Sequence, residues 1–113
     1  KDMSLTATSA VMGSPVYMSP EQMRATRNVD ARTDIWSLGT ILFEVLAGEA
    51  PFKGSSMPEL CAAILQDDTP LMSTYRADVP PKLERVIRTC LQKRPDDRYA
   101  SVADFAADIT AIG

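Results

Sequence analysis

The run T-D-I-W-S-L-G-T-I-L-F-E-V-L-A-G, Thr33 to Gly48, constrains what this chain can fold into more than any other stretch. Ile35, Trp36, Leu38, Ile41, Leu42, Phe43, Val45 and Leu46 cover nearly every azimuth of a 3.6-residue period, and a helix apolar all round has to be buried. The spacing predicts a core helix with the rest of the chain packed around it. Carrying Asp34 and Glu44, the run is shorter and more polar than the ~20 apolar residues a membrane span requires. Thr33 is the expected N-cap, its hydroxyl accepting an orphan backbone N–H, and Gly48 suits the left-handed position after the last turn.

What surrounds that helix is bounded by size and charge. With 113 residues, 45% hydrophobic and 24% charged, the chain fits one domain able to bury roughly two-thirds of its unfolded surface. A net charge of −3 and a pI near 4.8 give no general attraction to nucleic acid or an anionic membrane, so no nucleic-acid partner is expected. Cys61 and Cys90 are too few for a disulfide scaffold, and each falls in an apolar helical pattern. Free buried thiols in a reducing cytoplasm are the expectation. Neither a signal peptide nor a run of eighteen apolar residues is present.

Residues 1–12, K-D-M-S-L-T-A-T-S-A-V-M, are dense in hydroxyls and lack periodicity, which predicts an irregular loop. Ser4, Thr6, Thr8 and Ser9 are candidate phosphorylation sites, each modification adding about −1.5 to −2 charges. A merely solvated terminus is the alternative. In G-S-P-V-Y-M-S-P-E-Q, Gly13 and Pro15 punctuate a turn, and Ser19 with Gln22 makes a capping box around Pro20 at the first helical position. Taken locally, Glu21 is a first-turn acid facing the positive helix end.

Beyond the central helix, Glu49 to Gly54 is a turn-rich connector in which Pro51 blocks continuation. Ser56 and Glu59 repeat the capping-box pattern ahead of a helix from about Met57 to Gln66, with Leu60, Cys61, Ile64 and Leu65 as its core stripe. Asp67 to Val79 is an irregular connection with room for a short turn. After Pro80-Pro81, Leu83, Val86, Ile87, Cys90 and Leu91 share one helical face while Lys82, Glu84, Arg85 and Arg88 are expected to point outward. Ser101 and Asp104 cap a last helix carrying Val102, Phe105, Ala106 and Ile109. No strand pattern or internal repeat appears, so the fold class is mainly α.

The order of these motifs resembles the C-terminal lobe of a protein kinase, specifically a bacterial serine/threonine kinase of the eukaryotic-like type. G-S-P-V-Y-M-S-P-E is similar to the family's G-T-x-x-Y-x-A-P-E segment, with Ser14 for threonine and Ser19 for alanine. D-I-W-S-L-G, Asp34 to Gly39, is similar to D-x-W-S-x-G, and A-G-E-A-P-F to the G-x-x-P-F turn that follows it. R-P-D-D-R-Y-A-S is similar to D-P-x-x-R-x-S/T, with Arg94 in place of the first aspartate. Four motifs in the right order span about residues 4 to 110.

The resemblance implies roles that spacing does not. Residues 1–21 become an activation segment and 22–113 a helical lobe, together a partial kinase domain. Gly13, Ser14, Pro15, Val16 and Tyr17 are expected to shape the substrate groove. Glu21 is expected to pair with Arg98 as a buried anchor of that loop, and Asp34 to hold the catalytic loop, with Trp36 and Gly39 as structural anchors beside it. Thr6 and Thr8 match positions at which bacterial relatives autophosphorylate.

The resemblance also exposes what the 113 residues lack. Phosphoryl transfer needs a Gly-rich loop, a lysine–glutamate pair, an H-R-D aspartate and a D-F-G aspartate. The chain has no histidine, hence no H-R-D, and neither D-F-G nor G-x-G-x-x-G. Lys1 resembles the basic residue shortly after D-F-G. The expectation is therefore a fragment with no catalytic residue, cofactor-binding residue or metal ligand of its own, inactive alone. ATP, Mg2+ and the catalytic base then belong to a missing N-terminal portion of the kinase, and the partner is a protein substrate. The alternatives are a non-catalytic kinase-lobe remnant acting as an interaction module, and a small helical bundle of no kinase ancestry. Without the elements that cover it in a whole lobe, the central helix is expected to leave apolar surface bare and to promote self-association. Many bacterial relatives are membrane-anchored beyond their kinase domain.

Overall fold

The computed structural model describes residues 15–24 and 30–112. Among these there are five α-helices and three single 3-10 turns, and there is no strand. In chain order the helices are α1 (Pro20–Met23), α2 (Ala31–Ala47), α3 (Met57–Gln66), α4 (Pro81–Cys90) and α5 (Val102–Ile112), with 3-10 turns at Pro15–Tyr17, Met72–Thr74 and Pro95–Asp97. No helix among the described residues is long and apolar enough to cross a membrane.

The central helix begins earlier than the apolar run suggests. Asp30, not Thr33, is the N-cap: its backbone is extended and its carboxylate accepts the Arg32 N–H at 2.9 Å. Ala31, Arg32 and Thr33 form a first turn with no large apolar side chain, so hydrophobic periodicity carries no trace of it. At the other end Gly48 takes φ 84° and its N–H bonds the Glu44 carbonyl at 2.8 Å, as the cap pattern requires.

Among the described residues burial of α2 is one-sided, unlike the all-round cover that periodicity alone suggests and in the direction that the resemblance to a partial lobe implies. Ile35, Trp36 and Phe43 are fully buried, whereas Leu38, Ile41, Leu42 and Leu46 are half-buried and Val45 is 73% exposed. The covered side meets α4, and the two helices approach closely because Gly39 lacks a side chain. A Cβ added there would lie 2.4 Å from the Cys90 Cβ. Trp36 stacks on Phe52 from the connector, centroids 5.7 Å apart at 12°. Phe43 meets the edge of Tyr75, whose ring follows the Met72–Thr74 turn.

The shorter helices start where their caps lie. Ser56 Oγ accepts the Glu59 N–H at 3.3 Å, but the Glu59 carboxylate reaches back to Ser55, at 3.1 Å to its N–H and 3.0 Å to its hydroxyl, so the box is displaced by one residue. Ser101 Oγ accepts the Asp104 N–H at 3.1 Å at the start of α5. On α4, Glu84 departs from the outward-facing expectation, since its carboxylate accepts the Met72 N–H at 2.6 Å and ties the 67–79 connection to the helix. Both cysteines are free thiols, Cys90 buried and Cys61 half-buried with its Sγ 3.3 Å from the Met23 sulfur. Burial pushes the Cys90 thiol up to about 12.

Candidate functional site

The arrangement that dominates the structure is built from the loop S-P-E-Q upward. Ser19 caps α1 by the predicted box: its Oγ accepts the Gln22 N–H at 3.3 Å and the Gln22 side chain accepts the Ser19 N–H at 2.8 Å. That geometry puts Glu21 in the first turn and aims its carboxylate inward, where it is 5% exposed. A carboxylate so placed has to be paired and hydrogen-bonded.

Arg98, 6% exposed, supplies the pair from 77 residues away. Its Nη1 donates to Glu21 Oε2 at 2.7 Å and its Nη2 to Oε1 at 2.8 Å, a two-pronged contact. The remaining N–H groups go to backbone carbonyls: Nη1 to Arg32 at 2.9 Å, Nη2 to Lys93 at 3.2 Å and Nε to Gln92 at 2.8 Å. All five donors of the guanidinium are therefore satisfied. Its Cζ lies over the Trp36 ring, 5.1 Å from the centroid, so the same cation also rests on the core.

Thr33 completes the cluster. Its hydroxyl donates to Glu21 Oε2 at 2.6 Å, a role the N-cap assignment had hidden. Burial alone pushes the Glu21 carboxyl up, but the hydrogen bonds from Arg98 and Thr33, together with the Arg98 charge, outweigh it and bring the group down to about 2. Glu21 is a fixed anion.

The 3-10 turn Pro15–Tyr17 is held on α2 separately. Tyr17 donates its phenol to Glu44 Oε1 at 2.5 Å, and the Ser37 hydroxyl donates to the Tyr17 carbonyl at 3.3 Å. The bond to Glu44, reinforced by burial and by the carboxylate's charge, holds the Tyr17 phenol above its ordinary value. Val16 packs at the edge of the core. Nothing in the sequence pointed to Glu44, an acid inside an apolar helix, as the partner of this turn.

Of the residues singled out by sequence, the fold brings together Glu21, Arg98 and Trp36 in one buried cluster and seats Pro15, Val16 and Tyr17 beside it on α2. Gly39 lies on the side of α2 that meets α4. Asp34 is exposed in the first turn of α2 and joins neither group. Gly13, Ser14 and the candidate phosphorylation sites Ser4, Thr6, Thr8 and Ser9 lie outside the described residues. Among the described residues no three His, Cys, Asp or Glu side chains converge.

The model of the protein kinase domain matches residues 1–108. The chain belongs to the protein kinase family. It is 42% identical over 109 residues to serine/threonine-protein kinase PknB of Mycolicibacterium smegmatis, an alignment covering 96% of this chain and 17% of that protein. It is 36% identical to serine/threonine-protein kinase PknL of Mycobacterium tuberculosis, over 96% of this chain and 27% of that protein. PknB of the same organism is 38% identical, over 96% of this chain and 17% of the relative. The chain thus spans about a sixth to a quarter of the curated relatives it matches. The helical structure without strands among its described residues is that of the kinase C-terminal lobe, of the bacterial serine/threonine type.

Proposed function

We propose that these 113 residues are the substrate-facing and scaffold part of a protein serine/threonine kinase, which transfers the γ-phosphoryl group of ATP to serine or threonine hydroxyls of a protein substrate. The observation that carries the reading is the Glu21–Arg98 pair, with every guanidinium donor used, locking Pro15 to Glu21, the described part of the G-S-P-V-Y-M-S-P-E segment, to the lobe. In this reading residues 1–21 are the activation segment, phosphorylated at Thr6 and Thr8, with Ser4 and Ser9 as further acceptors. Gly13 to Tyr17 receive the substrate. ATP, Mg2+ and the catalytic aspartate come from a kinase portion outside residues 1–113, whose catalytic loop Asp34 holds. Asp34 is exposed and free of the Glu21 cluster, which suits that task.

A second reading is a non-catalytic lobe that pairs with another protein, for which the exposed Val45 on the uncovered side of α2 is the favouring observation. One experiment separates the two. The purified chain is assayed for radiolabel transfer from ATP to a protein substrate, alone and after addition of a kinase portion carrying the Gly-rich loop, H-R-D and D-F-G. We expect no transfer alone and restored transfer in the mixture. Transfer by the chain alone, with contaminating kinase excluded, overturns the inactive-fragment reading, and binding without transfer favours the interaction module.

A further inference from the structure

Lys93 sits in K-R-P-D-D-R, a charge run that on sequence reads as a solvated turn. The fold puts it elsewhere. Its Nζ donates to the Ile64 carbonyl at 2.7 Å, in the last turn of α3 where carbonyls have lost their helical partners. The ammonium lies 4.1 Å from the Phe52 centroid and 5.5 Å from that of Trp36, so it rests on the stacked pair. Its own carbonyl accepts from Arg98 Nη2. One residue therefore touches the end of α3, the aromatic stack of the core and the guanidinium that binds Glu21. In turn α3 packs on α1 and on the Pro15–Tyr17 turn.

We propose that Lys93 is a positioning residue for the substrate-facing loop: its cation closes the C-terminus of α3 onto the Phe52–Trp36 stack, fixing where α3 supports α1 and the Pro15–Tyr17 turn. The proposal rests on the kinase reading for its functional meaning, but its mechanical content does not, and the readouts below involve no phosphoryl transfer. A cation suits the place, because a helix C-terminus carries partial negative charge and Asp67 and Asp68 follow immediately. The opposing charge is Arg98, itself neutralised by Glu21. On the Phe52 turn the charged group is Lys53, paired with Glu49. Burial is the largest influence and lowers Lys93 to about 8, against the pull of Asp67 and Asp68. The joint thus titrates well below an ordinary lysine.

Two measurements on the 113-residue chain test this. In hydrogen–deuterium exchange, Lys93→Met is expected to raise exchange about tenfold in the last turn of α3 and in residues 15–23, the equilibrium equivalent of one lost charged hydrogen bond, with α4 and α5 unchanged. Lys93→Arg, which keeps the cation and its stacking, is expected to restore protection. Equal loosening of every helix, or none, overturns the positioning role. In the second measurement Trp36, the single tryptophan, reports the charge beside it. Its emission is expected to titrate with a midpoint near 8 in the native chain and to be flat over that range in Lys93→Met and Lys93→Arg. A native chain without that transition, or a variant that keeps it, overturns the assignment.

Discussion

Arg98 is tied to three segments at once, the α1 carboxylate, the Arg32 carbonyl of α2 and the Gln92–Lys93 backbone, and no other side chain can reproduce that set. Lysine has three donors on a point and no planar fork, so Arg98→Lys leaves acceptors unpaired. Arg98→Met leaves Glu21 buried and uncompensated, and we expect a loss of about 3 to 5 kcal/mol, read as a lower urea midpoint at unchanged slope. Acid dissects the same pair. The Glu21 carboxyl is depressed in the folded state to about 2 from an ordinary 4.5. Its contribution, about 3 kcal/mol, is therefore fully present above pH 4.5 and is lost as pH falls from there through 2. Glu21→Gln is expected to be less stable than the native chain at pH 7 and to close that gap on acidification through this window. A gap that stays constant with pH refutes the assignment. Neither partner was legible as a pair from spacing, because a contact across 77 residues has no periodic signature. The motif resemblance alone suggested it, and Thr33, hidden behind its look of an N-cap, was suggested by nothing.

The longer helices were the most legible level, since α3, α4 and α5 each carry an amphipathic stripe, α2 an apolar run, and most a side-chain cap. Ser56 before α3 and Ser101 before α5 stand in the sequence as plainly as in the structure. The start of α2 was not legible, because a capping aspartate followed by Ala-Arg-Thr carries no apolar rhythm. Nor was the docking of Glu84 onto the Met72 N–H, which depends on where a thirteen-residue connection happens to return. The α2–α4 contact gives a prediction of its own. A methyl at Gly39 meets the Cys90 Cβ at 2.4 Å, so Gly39→Ala forces the helices apart despite alanine's better helix propensity. We expect a net destabilisation of about 1 to 2 kcal/mol in chemical denaturation. Cys90→Ala keeps the offending Cβ and is expected not to rescue the variant. A Gly39→Ala chain as stable as the native one shows that α4 shifts at no cost.

At the scale of the whole molecule, the question is why a helix that reads as core on every side is covered on only one. Ile35, Trp36 and Phe43 face α4, the Phe52 turn and Tyr75, while Val45 is 73% exposed and Leu38, Ile41 and Leu42 are half-covered along the same flank. Periodicity records what a segment is selected to bury in its complete setting, and the described residues supply only part of that setting. In the kinase reading the flank belongs against the catalytic loop and its preceding helix. Among the described residues Val45 is exposed and Ile41 half-covered on this flank, with Leu38 and Leu42 packed at the edge of the core, and apolar surface left uncovered favours association. We expect the chain to gain apparent mass with concentration in light scattering. Val45→Glu places a charge on the flank without touching the covered side of α2, so it is expected to reduce association while leaving the Trp36 emission unchanged. A dilution-resistant monomer, or a Val45→Glu chain that associates as strongly as the native one, shows that this flank is not the adhesive surface.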